Sequence, residues 1–184
     1  MSVETLKPEK NESDSKALAE KLKQIVEKLQ KVSHEPATRE FRADTELVKG
    51  YLTKAQIRQF TLYIDEKPGL GGTDKGPNPL EIVLAALGTC QEIVYVMHAA
   101  GMGIPLDSIK VNVKGRIDAR GFFNVAQVPS GFLGVDYEVD IKSPVDRSKI
   151  KELVDVVNAH CPLLDTLQRP INVNGSVRLN DELL

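Results

Sequence analysis

Two cysteines carry most of the reactive chemistry of this sequence, Cys90 and Cys161. Only a thiolate is a strong nucleophile, so the surroundings of each sulfur decide what it can do. Cys90 lies in an apolar run, with Ala86 and Leu87 one turn before it and Ile93 and Val94 one turn after. A lone cysteine in such a run commonly packs as an inert small hydrophobe. Cys161 extends the stripe of Ile150, Leu153, Val154 and Val157, between His160 and Pro162. Proline disfavours helical geometry at the residue before it, so Cys161 is expected at a break. A break can expose a side chain, and His160 could help hold a thiolate. For both cysteines, the residues alone leave core packing and reaction open.

Other chemistry is poorly supported. A zinc site from Cys90, Cys161, His98 and His160 would lack the C-x-x-C and H-x-x-x-H spacings that hold structural zinc. The missing C-x-x-C also removes a thioredoxin-type exchange centre. No G-x-S-x-G elbow marks a hydrolase serine. The loop "GLGGTDKGPNP", residues 69–79, has the glycines of a phosphate cradle, but Lys75 is followed by Gly76 and Pro77. Neither G-x-x-x-x-G-K-[ST] nor G-x-G-x-x-G is present, and two prolines remove N–H donors where phosphate would need them. The loop reads better as a helix start. Asn78 suits the N-cap, Pro79 the first helical position and Glu81 the third, a capping box that gives Glu81 a structural role.

The elements that must position these residues follow from periodicity. Leu18, Leu22, Ile25, Leu29 and Val32 form one stripe of a helix over 14–32, broken near Pro36. Alternation predicts strands over 39–48 and 57–65, joined by a hairpin at Gly50. In this reading Arg39 and Arg58 face inward and Arg42 does not. A long helix runs from about 79 to 100 and ends at Gly101 and Gly103. Strands follow around 109–113 and 133–141, then a helix over about 146–160 and a last strand over 171–179. Strands and helices grouped in this way point to α+β with antiparallel sheets.

Composition bounds the function classes. The 184 residues fit one domain with an appendage, residues 1–35 being an amphipathic helix and tail and 36–184 the body. A net charge of −2 gives no electrostatic reason to expect nucleic acid or an acidic membrane. Aromatics make up only 5%, which argues against base-stacking platforms. Residues 80–105 are apolar enough to resemble a membrane span, but Glu81, Gln91, Glu92 and His98 would be costly in lipid, so a buried helix is expected. The polar start lacks the apolar stretch of a secretion signal, so the cytoplasm is expected, where lasting disulfides are disfavoured and transient ones allowed.

The stretches "LGGTDKGPNPLEIVLAALGTC", "GIPLDSIKVNVKGRIDARGF" and "HCPLLDTL" together resemble the OsmC/Ohr superfamily, over roughly residues 39–180. The resemblance implies an intertwined homodimer of α+β subunits, with antiparallel sheets wrapped around two long central helices. The helix at 14–32 is extra to it. It also implies a thiol peroxidase acting on organic hydroperoxides without a cofactor. The residue matching the attacking cysteine is Cys90, which would become a sulfenic acid. The residue matching the resolving cysteine is Cys161, which would close a disulfide that a dithiol reductant reopens. A catalytic glutamate belongs to the peroxidase pattern directly after Asn-Pro; here Leu80 stands there and Glu81, one residue later, is the candidate for that role. The implied activating arginine comes from the first hairpin, with Arg58, Arg39 and Arg42 as candidates. The alternative is a redox-sensing or small-molecule-binding protein on the same fold.

Overall fold

Residues 12–31 and 37–184 are described by the computed structural model. Helix α1 (Glu12–Lys31) is followed by three short strands, β1 (Asp44–Lys49), β2 (Leu52–Ile57) and β3 (Phe60–Ile64). Helix α2 (Pro79–Met102) leads to β4 (Ser108–Ile117), the one-turn α3 (Ala119–Phe122) and β5 (Phe132–Lys142). Then come α4 (Arg147–His160), α5 (Pro162–Gln168) and the two-residue strands β6 (Arg178–Leu179) and β7 (Glu182–Leu183). All strand pairing is antiparallel, in the orders β1-β2-β3, β4-β5 and β6-β7. The expected α+β architecture is therefore present. The expected break at Pro36 and the helix end at Val32 lie outside the described residues.

The core is built around α2. One side lies on β4 and the other on α4 and α5, with α1 also packed against it. Leu87, Val94, Tyr95 and Ala99 of α2 are buried with Leu153 and Val157 of α4 and Leu164 of α5. The inward residues of β5, Val135, Tyr137, Val139 and Ile141, close this core from the sheet side, as their period-two alternation requires. By length and composition α2 could cross a membrane. Its packing instead makes it a core helix, and Glu92 Oε1 accepts the Val111 N–H of β4 at 3.2 Å.

The expected strand over 57–65 is two structures. Arg58 and Gln59 form the turn between β2 and β3, and Arg58 has φ of 54°. It is exposed, its guanidinium 5.2 Å from the Phe60 ring centroid. Arg39 is exposed too and precedes β1. Neither faces inward: the two-residue turn, which keeps the alternation in phase, takes Arg58 out of the strand, and β1 begins only after Arg39. A hairpin is present at Gly50, but it joins β1 to β2 rather than to the strand expected over 57–65. Residues 171–177 alternate like a strand but form none; the paired strand is Arg178–Leu179, against Glu182–Leu183, extended by Val177 O, which accepts the Leu184 N–H at 3.0 Å. The sequence reading also missed β2 and α5.

The loop between β3 and α2 is wired by one carboxylate. Buried Asp65 accepts from Thr73 Oγ1 at 2.6 Å and from the N–H groups of Glu66, Thr73 and Lys75 at 2.8, 3.1 and 3.2 Å. The chain doubles back so closely that a Cβ at Gly72 would lie 1.8 Å from Glu66 O, and one at Gly76 2.0 Å from Tyr63 O. Only glycine fits either crossing. The Thr73 hydroxyl, helped by the three amides, holds the Asp65 carboxyl below its usual range despite burial. A carboxyl whose pKa is lowered by folding stabilises the fold above its unfolded pKa, about 4, and loses that contribution as pH falls through the folded value. Asp65→Asn is therefore expected to lower the thermal midpoint at pH 7, with the gap from wild type narrowing below pH about 4. A gap that stays constant from pH 7 to pH 3 would contradict this account.

Candidate active site

Helix α2 begins with the predicted capping box. Asn78 Oδ1 accepts the Glu81 N–H, and Glu81 Oε2 accepts the Asn78 N–H, each at 2.9 Å. The other Glu81 oxygen meets Lys67 Nζ at 2.9 Å. Lys67 and then the Asn78 amide hold the Glu81 carboxyl below its usual range. An ionised cap at a helix N-terminus is the arrangement that the helix dipole favours. Both oxygens of Glu81 are thus engaged at the start of α2. Cys90 lies nine residues on, about 13 Å along the axis, and the structure does not bring the two together.

The two cysteines do come together. Their sulfurs are 3.6 Å apart across 71 residues of sequence, and both are free thiols. Cys90 projects from the middle of α2. Cys161 sits between α4 and α5, its N–H on Val157 O at the end of α4. Pro162 ends one helix and starts the next, since the first helical position needs no N–H donor. The predicted break is real, but it does not expose Cys161, which is 1% accessible. The apolar faces of α4 and α5 bury it from both sides. Cys90 is only partly buried, so of the two sulfurs it is the accessible one.

Burial pushes the Cys90 thiol up. The backbone N–H of Leu163 in α5 pulls the other way, and Cys161 adds to the upward push. No arginine or lysine contact to either sulfur occurs among the described residues. Arg42 pairs with Asp44 at 2.8 Å on the surface, and Arg58 lies over Phe60.

Several polar groups surround the pair that the sequence reading did not single out. Tyr137 Oη donates to Asn158 Oδ1 at 2.9 Å, one turn before Cys161 on α4. Burial raises the Tyr137 hydroxyl, and the Cys161 charge raises it further. Burial, then Tyr137, pushes Tyr95 up to about 12. Gln91, next to Cys90 in the chain, is fully buried, and its carboxamide has no partner among the described residues. The His98 and His160 rings are 5.6 Å apart; burial, then His160, lowers the His98 imidazole. The only sequence signal for Tyr137 is a polar tip on the otherwise aliphatic inward face of β5. No group of three or more His, Cys, Asp or Glu side chains among the described residues could hold a metal ion.

An α+β chain that brings two free thiols within 3.6 Å, one shielded and one reachable, defines a two-cysteine thiol protein. Residues 72–175 match the OsmC-like protein family, and the chain belongs to that family. It is 30% identical over 125 residues to a hydroperoxide reductase of Mycoplasma genitalium, covering 65% of this chain and 82% of that protein. A hydroperoxide reductase of Mycoplasma pneumoniae is 29% identical over 123 residues, covering 63% and 81%. The crystal structure of an OsmC-like protein from Mycoplasma pneumoniae superposes with a TM-score of 0.61 at 25% identity, covering 71% of this chain and 88% of that one. An organic hydroperoxide resistance protein OsmC from Legionella pneumophila shares the fold, with a TM-score of 0.56 at 19% identity over 72% and 92% of the two chains. Helix α1 precedes the family-matched residues.

Diamide is expected to join Cys90 to Cys161 within one chain, seen as the loss of two hydrogens in the intact mass without a disulfide-linked dimer on a non-reducing gel. Cross-linking between chains in place of this bond would contradict the geometry.

Proposed function

We propose that the protein is a thiol peroxidase that reduces organic hydroperoxides. The observation that carries the reading is the 3.6 Å approach of a reachable Cys90 to a shielded Cys161. The Cys90 thiolate attacks the outer oxygen of the hydroperoxide, the O–O bond breaks, and an alcohol leaves once protonated. Cys90 is left as a sulfenic acid, the reversible rung of cysteine oxidation. The Cys161 sulfur then attacks Cys90 Sγ, the S–S bond forms and the sulfenic oxygen leaves as water. A dithiol reductant returns both thiols. Apolar residues around Cys90 favour an organic peroxide over hydrogen peroxide. The peroxide chemistry named for the Mycoplasma relatives supports this order of events, and free thiols suit the reducing cytoplasm.

The working unit of this proposal is a homodimer. The β1-β2-β3 sheet barely touches the other elements of its own chain, and it exposes Leu47, Val48, Phe60, Leu62 and Tyr63. Along α2, Ile93 is 68% and Val96 43% exposed, on the face away from the core. Apolar surface of this extent marks an interaction site, and a second copy would cover it. The raised Cys90 thiol also needs a cation. A hairpin arginine of a second chain, Arg58, Arg39 or Arg42, is the proposed source.

Light scattering is expected to give twice the 20.3 kDa chain mass; a monomer would remove the dimer from the proposal. With cumene hydroperoxide and dihydrolipoamide, Cys90→Ser should abolish turnover. Cys161→Ser should stop after one event with a sulfenic acid that dimedone traps. If wild type forms the disulfide slowly and never turns over, redox sensing is the better reading. If peroxide leaves both thiols intact, the peroxidase reading fails.

A further inference from the structure

Cys161 has to carry negative charge twice in a two-cysteine cycle. It attacks as a thiolate when the disulfide closes. It leaves as a thiolate when a reductant attacks the reachable Cys90 sulfur. Yet it is 1% accessible, and no cation contacts it among the described residues. A buried thiolate without a hydrogen-bond donor is disfavoured. The Cys161 sulfur's own hydrogen-bond contact is with Cys90 Sγ at 3.6 Å.

One hydroxyl is built into this corner. Tyr137 lies on the inward face of β5, in the set of side chains packed on the cluster that contains Cys161. Its Oη is fixed at 2.9 Å from Asn158, which stands one turn before Cys161 on the same helix. The bond ties the strand to the last turn of α4, where Cys161 is held. The Cys161 charge also raises Tyr137, which stays protonated chiefly because burial raises its hydroxyl. A neutral phenol with a rotating O–H can serve Asn158 while Cys161 is a thiol and turn to the sulfur when it is a thiolate.

We infer that Tyr137, oriented by Asn158, is the hydrogen-bond donor that supports the Cys161 thiolate as attacking group and as leaving group. In closure, Cys161 gives up its proton, its electron pair forms the S–S bond to Cys90, and the S–O bond breaks. The departing hydroxide and the released proton leave as water. In reopening, one thiolate of the dithiol attacks Cys90 Sγ, the S–S bond breaks, and its electron pair passes to Cys161 beside Tyr137. The second thiol then frees Cys90, and the reductant departs as its own disulfide. Closure from a sulfenic acid rests on the peroxidase reading; reopening does not, because diamide can form the same disulfide.

The test compares wild type with Tyr137→Phe in three rates. Formation of the Cys90 sulfenic acid should be unchanged. Closure of the disulfide should slow about tenfold, as should reduction of diamide-oxidised protein by dihydrolipoamide, the scale of a lost hydrogen bond to a charged group. The pH at half-maximal closure rate should also rise. The other titratable groups around this sulfur are Cys90 and buried Tyr95 on α2 and His160 beside it on α4, with His98 on α2 next to His160. Asp165 of α5 is turned away to Arg169. Asn158→Ala keeps the phenol but releases it, so it should slow closure by a smaller factor. Wild-type closure, reduction and pH midpoint in Tyr137→Phe would overturn the inference, as would an equal fall in all three rates. If Tyr137→Phe does not fold, Asn158→Ala decides, and unchanged closure and reduction overturn the inference. If peroxide never oxidises Cys90, the peroxidase reading fails alone and the diamide arm still decides.

Discussion

The burial of α2 is the constraint on which everything else hangs. Its residues are apolar on nearly every side, so the helix must be surrounded, and the chain supplies walls for only part of it. The β4-β5 sheet takes the side of Gly88 and Glu92. Helices α4 and α5 take the side of Cys90 and Val94. This second wall creates the site: Cys161 makes the last backbone bond of α4, to Val157 O, and the chain turns directly after it. The turn at Pro162 stops that helix and folds the next one back over the sulfur. The remaining face, with Ile93 and Val96, is uncovered in the single chain, and so is the β1-β2-β3 sheet.

What was legible in the sequence was local. The Asn78–Glu81 capping box needs only four residues and an apolar run, and it is present atom for atom. The stripe of α4 and the alternation of β5 were readable because each buries one face against a single neighbour. The site was legible in its cysteines but not in their setting. Pro162 correctly marked a break at Cys161, yet burial there depends on α5, whose seven residues lack a readable period. Alternation misled in two places. It runs through the Arg58–Gln59 turn without losing phase, and it persists over residues 171–176, which pair with no strand among the described residues. Periodicity reports which face a residue would take, not whether a partner exists to make the strand. Tyr137 and Asn158 stayed invisible for a related reason, since they meet across 21 residues and two element types.

Charge is handled differently at the start and in the middle of α2. At its start, Asp65 and Glu81 are ionised and fully engaged, by backbone amides, Thr73 and Lys67. They fix the loop and the helix entry as one polar unit. Near its middle the same helix presents Cys90 to apolar neighbours that oppose ionisation. The N-terminal polar unit therefore sets geometry for a sulfur it does not touch, and the reactivity of that sulfur is left to groups arriving from elsewhere.

The 3.6 Å approach of the sulfurs has a thermodynamic side. An S–S bond is about 2.05 Å long, so little movement separates the reduced pair from the bonded one. In the unfolded chain the same thiols would meet only by closing a loop of 71 residues. Folding thus raises the effective concentration of one thiol at the other. By reciprocity, forming the bond must strengthen the fold by the same free energy that the fold contributes to forming the bond. Redox state and conformational stability become one coupled quantity in this molecule. Each turn of a thiol–disulfide cycle is then also a cycle of tightening and loosening of α2 against α4 and α5.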